Sequence, residues 1–355
     1  MRLQPNSEKL KPICKLQLND RPYHSTVSAD GRRFAACASS GKCWLFDNDL
    51  RQLDEVTLGA GVQWIQLNKI GSLLLVGFQA RIDVHATSPK IAPLFKLPVP
   101  GTSSQCCVFC SDEQVVCVAS WDLEPKLTAW DLRSSAKIAE LLLPDRGGAG
   151  YSLVPHPEGE AMAAIAYSGQ SEEWLFWAHY ARGKLRVLDR PEIEDVALPC
   201  FHPTGREFVS FHERLGLCRM RFPSGELIGS VQPEQVFADN PEDMFSYDIH
   251  FLRDDHFLVW QTCLALYEFD LATLQPVGAV LTGVEGVTFG EDNFYSGQSW
   301  LLAGGRLLTS DCRHDKKFKN RTDTLRLWDA AGLAGRVSAP DPSRPLTQEI
   351  FADDQ

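Results

Sequence analysis

The sequence predicts an all-β protein, a seven-bladed β-propeller built from four-stranded antiparallel blades. Two observations predict this fold. Short runs that alternate apolar and polar residues are separated along the chain by Gly, Asp and Ser turns, as is typical of antiparallel strands. In addition, strands that end on an aspartate recur between Asp47 and Asp329 at an average spacing of 47 residues. That period is close to the roughly 40–45 residues expected of one propeller blade.

The first module shows the pattern of a single blade. An apolar-containing segment at residues 23–31 ends in an Asp-Gly turn, and a denser apolar run follows at residues 33–38. Residues 42–47 are the predicted third strand and residues 52–58 the fourth. Four short strands joined by tight turns can pair as one antiparallel sheet.

Six further modules follow the same order. Their first strands are predicted at residues 62–67, 106–109, 151–155, 196–201, 247–251 and 286–289. The fourth module departs from the pattern, because residues 174–179 and 184–188 are both strand-like and little room remains before the next module. Either they are its third and fourth strands, which we favour, or the module contains an insertion.

Particular residues at strand ends and turns carry a family resemblance. The Trp-Asp or aromatic-Asp endings lie at Asp47, Asp131, Asp270 and Asp329. The first turns of two modules read His-Pro-Glu-Gly and His-Pro-Thr-Gly, beginning at His156 and His202. The pattern resembles the WD-repeat family of β-propellers over nearly the whole chain. The Gly-His pair typical of that family is absent from the modules, so the resemblance is to a divergent member.

The resemblance also implies how the ring closes. In this family a terminal strand usually completes the last blade, which gives residues 13–18 the outermost place in the seventh blade; residues 335–338 are the alternative. Closure matters because an open ring would expose sheet edges and apolar faces. We assign residues 11–338 to the propeller, residues 1–10 to a flexible N-terminus and residues 339–355 to a disordered C-terminal tail.

Composition narrows the class of partner. The 355-residue chain carries a net charge of -11, and a surface of this sign repels duplex nucleic acid. Most of the 11 cysteines lie inside apolar runs, as buried free thiols of reducing compartments do. No segment has the apolar length of a signal peptide or a membrane span. We therefore expect a soluble, cytoplasmic protein, a monomer or a subunit of a complex, with no nucleic-acid or membrane partner.

Candidate contact residues come from aligning the modules on their first turns. The position five residues before each turn begins an innermost strand and should lie at the mouth of the central channel. It holds Tyr23, Gln63, Gln105, Tyr151, Ala197, Tyr247 and Glu285. Three of the chain's seven tyrosines fall in this column, and tyrosine offers an apolar body with a polar tip for contacts with a protein or ligand. The alternative is that these tyrosines only cap the channel with solvated hydroxyls.

Two further features are candidates. Trp121 follows the second strand of the third module, where it contributes either to partner binding or to packing between blades. The one basic run lies between the second and third strands of the last module, and is either a solvated loop or a site for an acidic peptide or a phosphate. Its cations are Arg313, Lys316, Lys317, Lys319 and Arg321.

Motifs for catalysis and metal binding are missing from the sequence. It contains no nucleophile elbow, phosphate-binding glycine loop or zinc-protease motif. Cys106, Cys107 and Cys110 are interpreted as buried thiols rather than zinc ligands. Neighbouring side chains on a strand point to opposite faces, and no second Cys/His pair follows at a suitable spacing. We predict no catalytic residue, no bound metal and no cofactor.

The predicted function follows from the resemblance and from these missing motifs. We expect a non-catalytic scaffold of WD-repeat type that binds another protein or a peptide through the narrow face around the channel. One alternative is a lactonase- or hydrolase-like propeller enzyme with a channel metal near His24, Asp248 and Glu285. Another is a small-ligand sensor that uses the tyrosine column.

Overall fold

The computed structural model of the chain describes most of the predicted propeller. The described residues are 12–20, 22–99, 107–110, 113–120, 126–143, 148–159, 161–168, 173–188, 193–194, 196, 199–212, 214–232, 247–253, 256–261, 265–282, 294–314 and 321–329. Every regular element in these residues is a β-strand. The fold is therefore all-β, as predicted.

The strands form seven blades, which we number in chain order after the first strand, β1 (Cys14–Leu18). Blade 1 contains β2 (Pro22–Val27), β3 (Arg33–Ala38), β4 (Lys42–Asp47) and β5 (Gln52–Thr57). Blade 2 contains β6 (Trp64–Leu67), β7 (Leu73–Phe78), β8 (Arg81–Ala86) and β9 (Ala92–Leu97). Blade 3 contains β10 (Cys107–Phe109), β11 (Val115–Ser120), β12 (Lys126–Asp131) and β13 (Ala136–Leu142).

The remaining four blades follow the same plan. Blade 4 contains β14 (Gly148–Pro155), β15 (Ala161–Ser168), β16 (Glu173–Ala181), β17 (Lys184–Val187) and the short β18 (Ile193–Glu194). Blade 5 contains β19 (Cys200–Phe201), β20 (Glu207–His212), β21 (Gly216–Arg221) and β22 (Leu227–Val231). Blade 6 contains β23 (Tyr247–Arg253), β24 (His256–Gln261), β25 (Ala265–Asp270) and β26 (Pro276–Thr282). Blade 7 contains β27 (Phe294–Leu302), β28 (Arg306–His314) and β29 (Arg321–Asp329), together with β1.

Strand pairing confirms both the blade plan and the closure by the N-terminal strand. Within blades 1 to 6 the four main strands pair antiparallel in chain order. In blade 7 the order is β27, β28, β29 and then β1, with Cys14 opposite Leu327 and Leu18 opposite Asp323. The first strand in the chain therefore completes the last blade, and the seven blades form a closed ring. The alternative closing segment, residues 335–338, lies outside the described residues.

The structure settles two strand assignments, one in blade 4 and one in blade 7. In blade 4, β16 and β17 are the third and fourth strands, as we favoured, and β18 also pairs with β16. In blade 7 the assignment of residues 286–289 as the first strand is wrong, because that place is taken by β27, in which Leu302 pairs with Arg306. The middle of β27 reads Ser-Gly-Gln-Ser, so the apolar alternation that identifies a strand is lost there.

The core lies between blades rather than inside a single sheet. The last five residues of β3 are buried, because a strand in the middle of a blade contacts neighbouring blades on both faces. Phe34 and Ala36 pack with the leucines of blade 7, whereas Ala35 and Cys37 pack with blade 2. Comparable apolar clusters join blades 2 and 3, 3 and 4, 4 and 5, and 5 and 6.

Hydrogen bonds between neighbouring blades also stabilise these interfaces. In four of them a side-chain N–H donates to a backbone carbonyl in the turn between the third and fourth strands of the following blade; we call these interblade turn bonds. The pairs are Arg33 with Thr87 at 3.0 Å, Trp177 with Pro223 at 2.8 Å, Arg219 with Leu271 at 3.1 Å and Arg306 with Asn48 at 3.1 Å. The three arginines are charged donors, which give stronger bonds than a neutral donor such as the Trp177 indole.

The aspartates that end the third strands stabilise the turns that follow them. Asp47, Asp131 and Asp270 each accept backbone N–H bonds from their own turn. The Ser134 N–H holds the pKa of Asp131 below its usual value, and the Thr273 hydroxyl does the same for Asp270. At these three positions the strand-ending aspartate therefore has a structural role.

The His-Pro-x-Gly turns join neighbouring blades. His156 Nδ1 accepts from the Glu158 N–H, so Nε2 carries the proton and donates to the Gly205 carbonyl at 2.8 Å. Gly205 has a φ of +70°, and a Cβ there would lie 2.4 Å from the His156 ring. Only glycine satisfies both the backbone conformation and this close approach.

Candidate functional site

The candidate residues lie on one face of the ring. Antiparallel pairing places the starts of the first strands and the ends of the second strands at the same end of every blade. We call this end the mouth face, and we call the opposite end, where the first and second strands are joined, the turn face. Tyr23 is the second residue of β2 and therefore lies at the mouth-face end of that strand.

Tyr23 is held outward by a bulge. Pro22 pairs with Ala38 and His24 pairs with Cys37, so Tyr23 is the extra residue between two successive pairs. A bulge of this kind changes the direction of a side chain at the end of a strand. Tyr23 is 47% exposed, and it is the one aromatic residue among the exposed large apolar residues whose side chains the structure describes.

A second bulge lies next to the first, at the seam where the ring closes. In β27, Ser296 pairs with Asp311 and Ser299 pairs with Thr309, so Gly297 and Gln298 oppose a single residue. Gln298 is exposed, and its side-chain oxygen accepts from the Ser25 hydroxyl at 3.0 Å. The described residues thus bring Tyr23, Ser25 and Gln298 together across blades 1 and 7.

Gln63 and His24 lie near the junction of blades 1 and 2. The Gln63 backbone N–H donates to the Gly77 carbonyl at 2.9 Å, and its side chain is half-buried with an Oε1 atom that accepts no hydrogen bond. Burial lowers the pKa of His24 from its ordinary value, although a hydrogen bond with the backbone of Val62 in blade 2 acts in the opposite direction. His24 therefore joins blades 1 and 2 in its neutral form at pH 7.

The other predicted contact residues are only partly placed. Tyr151 and Tyr247 lie in β14 and β23, close to the mouth face, but their side chains are outside the description. The remaining members of the set, Gln105, Trp121, Ala197 and Glu285, lie outside the described residues, as do Lys316, Lys317 and Lys319 of the basic run. Arg313 and Arg321 lie at the mouth-face ends of β28 and β29.

Gln298 was missed from the sequence for two reasons. The first strand of blade 7 was placed too early, which put Glu285 in the column where β27 now lies. In addition, the bond between Ser25 and Gln298 joins residues 273 positions apart. Only closure by β1 brings those positions together, so no local pattern could have indicated the pair. A glycine inside a strand segment, as at Gly297, is a sequence signal of such a bulge.

Asp248, His250 and Ser299 form a polar cluster between blades 6 and 7. Asp248 Oδ2 accepts from the Ser299 backbone N–H at 2.6 Å and from its hydroxyl at 3.0 Å. His250 Nε2 lies 2.9 Å from the same hydroxyl oxygen. Since the single hydroxyl proton points to Asp248, the His250 Nε2–H must be a donor. Ser299 is also only 3% exposed, so the arrangement joins two blades and does not present an activated nucleophile.

Across the ranges that the structure describes, no three His, Cys, Asp or Glu side chains come close enough together to bind a metal ion. Cys107 and Cys110 are buried, as predicted, and Cys110 Sγ lies 3.5 Å from Cys117 Sγ. That contact and burial raise the pKa of Cys117 well above its ordinary value, so its thiol is protonated. Cys106 lies outside the described residues.

No known protein family matches the chain. No curated protein is significantly similar to it in sequence. Within the described ranges, no helix is present that has the length and apolar character needed to cross a membrane.

Proposed function

We propose that the protein is a divergent propeller of WD-repeat type that serves as a non-catalytic interaction platform, and that another protein or a peptide binds its mouth face. The observation that carries the proposal is the exposed Tyr23 at a bulge, beside the bonded pair of Ser25 and Gln298. Tyrosine is enriched at protein interfaces because its ring supplies contact area and its hydroxyl can donate or accept a hydrogen bond.

The closed ring supports this role through rigidity. Tyr23 projects from a strand whose blade is buried against a neighbour on each side and is tied to both by interblade turn bonds. A side chain displayed on such a scaffold loses little conformational freedom on binding, so more of the contact energy appears as affinity. The strand-ending aspartates and the buried tryptophans at Trp130 and Trp328 support the WD-repeat assignment.

The proposal is tested by affinity capture of the native protein, followed by mass spectrometry and titration of the purified partner. Tyr23→Ala combined with Gln298→Ala should weaken that partner's binding by about ten-fold or more. Because Tyr23 is exposed, the melting temperature should stay nearly unchanged. The sequence-based prediction extends the same expectation to Tyr151→Ala and Tyr247→Ala.

A matched control uses an exposed apolar residue on the turn face. Ile70 is 57% exposed in the turn between β6 and β7, so Ile70→Ala should leave binding of the partner unchanged. Equal loss of binding in both variants would reject the mouth face as the docking surface. Unfolding of the Tyr23→Ala variant would show instead that this tyrosine is part of the core. A cytoplasmic location and a monomeric or complexed state remain predictions alongside this proposal.

A further inference from the structure

Two buried thiols of blade 3 are in contact with each other. Cys110 directly follows β10, and Cys117 lies in the middle of β11. Their Sγ atoms are 3.5 Å apart, although the residues are seven positions apart in the sequence. Strand pairing sets this distance, because Val108 pairs with Cys117 and the Cys110 N–H donates to the Val115 carbonyl at 2.9 Å. The two side chains are therefore held diagonally across neighbouring strands, on one face of the blade.

The other thiols nearby are arranged differently. Cys107 packs in the cluster between blades 2 and 3, whereas Cys110 and Cys117 pack in the cluster between blades 3 and 4. Blade 1 has a second pair, Cys37 and Cys43, but there the Cys37 thiol also donates to the carbonyl of the next residue at 3.6 Å. Within the described residues, each thiol of the blade 3 pair bonds only with the other.

The contact between these sulfur atoms is close to what a disulfide needs. A disulfide brings the two sulfurs to about 2.0 Å from each other, so from 3.5 Å each would move by about 0.7 Å. Rotation of the side chains can supply a movement of this size without a change in strand register. The fold therefore selects which two thiols can meet.

We infer that Cys110 and Cys117 form a reversible disulfide when the protein encounters a peroxide, and that the bond acts as a redox-sensitive clamp between β10 and β11. These strands supply part of the cluster that packs blade 3 against Met162 and Phe176 of blade 4. Because the cluster is close-packed, a covalent link inside it restrains that interface as well as the two strands. The bond forms whether or not a partner occupies the mouth face.

The chemistry takes two balanced steps. Hydrogen peroxide transfers an oxygen atom to the Cys110 sulfur, so that the O–O bond breaks, a sulfenic acid forms and one water leaves. The Cys117 sulfur then attacks the Cys110 sulfur, the S–O bond breaks, and the Cys117 proton leaves with the hydroxyl group as a second water. In total the two thiols lose two electrons and two protons to one peroxide. A dithiol reductant reverses the change by exchange.

Burial makes this oxidation depend on opening of the interface between blades 3 and 4. Cys110 is 3% exposed and Cys117 is fully buried. The contact with Cys110 and burial raise the pKa of Cys117, so the reactive thiolate is scarce in the closed ring. Cys110 lies at the end of a strand, where local opening is easier than in the middle, which is why we assign it the first step.

The test maps the cysteine links of the full chain after treatment with hydrogen peroxide and alkylation of the remaining thiols. Asp-N protease cleaves before Asp112, so Cys110 and Cys117 fall on separate peptides unless a disulfide joins them. Mass spectrometry should find the joined peptides, lighter by two hydrogen atoms, and dithiothreitol should separate them. In the folded chain this link should be at least about ten-fold more abundant than any other link made by either residue, because only these sulfurs are held near bonding distance.

Three substitutions and an unfolded sample provide the controls. Cys110→Ala and Cys117→Ala should each abolish the link. Cys107→Ala makes the same change at a buried thiol of β10 that faces the other interface, and should keep it. In the urea-unfolded chain Cys117 should link to Cys107 about as often as to Cys110, since only chain proximity then acts. The oxidised folded chain should melt at a higher temperature than the reduced chain, because the bond restricts the unfolded state, and this rise should be absent in Cys117→Ala.

Several results would overturn the clamp. Links from Cys117 to Cys107 in the folded chain, or sulfinic acid at Cys110 without any link, would show that the fold does not pair these thiols. A chain that stays reduced under peroxide, even in urea concentrations that open the interfaces, would show the same. A melting temperature that does not rise on oxidation would leave a disulfide without a clamping effect. The map of the unaltered chain decides the pairing even where a variant fails to fold, and none of these results bears on capture of a partner at the mouth face.

Discussion

Two interfaces at equivalent places in the ring are built from opposite chemistry. Between blades 2 and 3, Trp64 stacks over Gly77 and joins an apolar cluster with Cys107 and Val118. Between blades 6 and 7 the matching position to Trp64 is Asp248, and the matching positions to Cys107 and Val118 are Ser299 and Thr309. One interface is held by buried apolar area and the other by hydrogen bonds between buried polar groups.

The difference shows that equivalent positions in the repeat can hold side chains of different chemistry. In blades 3 and 7 the tryptophan of the third strand donates its indole N–H to a threonine. Trp130 donates to Thr128 on its own strand, whereas Trp328 donates to Thr309 on the neighbouring strand. The apolar interface should tolerate changes of shape, since its energy follows area. The polar interface should be sensitive to loss of any one partner, because an unpaired buried group is costly.

The largest effect is expected at the apolar interface. Trp64→Ala removes a side chain that is only 4% exposed and leaves a cavity over Gly77, so the free energy of unfolding should fall by about 3–5 kcal/mol. Denaturant unfolding followed by circular dichroism measures it. Tyr23→Ala, which truncates an exposed aromatic residue, is the control and should change stability by less than about 0.5 kcal/mol. A similar small loss for both would mean that Trp64 is not part of the core.

The polar interface should respond next. Asp248→Ala leaves the Ser299 N–H without its acceptor, and stability should fall by about 1–3 kcal/mol. Ser299→Ala removes only the hydroxyl, so a double-mutant cycle should give a coupling energy of about 0.5–3 kcal/mol between the two residues. Strict additivity would contradict a shared hydrogen-bond cluster.

Acid should weaken the polar interface more than the apolar one. Burial lowers the pKa of His250 below the ordinary value of 6.5, against the opposing influence of Asp248. As the pH falls through 6.5 the unfolded chain binds the proton first, so the free energy of unfolding decreases, and it is highest above that pH. The melting temperature should therefore drop between about pH 7.5 and about pH 5.5, and should drop less in His250→Gln. His24 and His85 shift in the same direction, so part of the drop should remain.

The smallest effect is expected from the interblade turn bonds. Arg33→Met keeps the apolar part of the side chain but removes the bond to the Thr87 carbonyl, and should cost about 0.5–1.5 kcal/mol. Arg32→Met, one residue earlier and exposed, is the control and should leave stability unchanged. If Arg33→Met proved as harmful as Trp64→Ala, directional bonds would dominate even at the apolar interfaces.

The plan of the fold could be predicted from the sequence because it depends on local signals. Alternation and turn residues identify strands, and the buried β3 and β7 read as continuous apolar runs. β27 could not be found in the same way, since a bulge places polar residues where alternation is expected. Closure by β1 came from a family resemblance, not from any property of residues 13–18 themselves.

Only part of the candidate site could be predicted. Tyr23 was identified by counting back five residues from the first turn of blade 1, which is a local feature of the sequence. The partnership of Ser25 with Gln298 and of Asp248 with Ser299 depends on which blades become neighbours, over separations of 273 and 51 residues. The local sequence pattern does not indicate such long-range contacts, which form only when the ring brings the blades together.

Because β1 completes blade 7, the ring cannot close until the last blade has been synthesised. Cys14 pairs with Leu327, so β1, which precedes the other strands of the ring, must wait without its partner until β29 has been translated. Until then blade 7 lacks an outer strand and blade 1 lacks one of its two apolar neighbours, which is when exposed edges favour pairing between separate molecules. A deletion of β1 should consequently harm the ring at the opposite end of the polypeptide, and its product should assemble through blade 7 into dimers or larger aggregates.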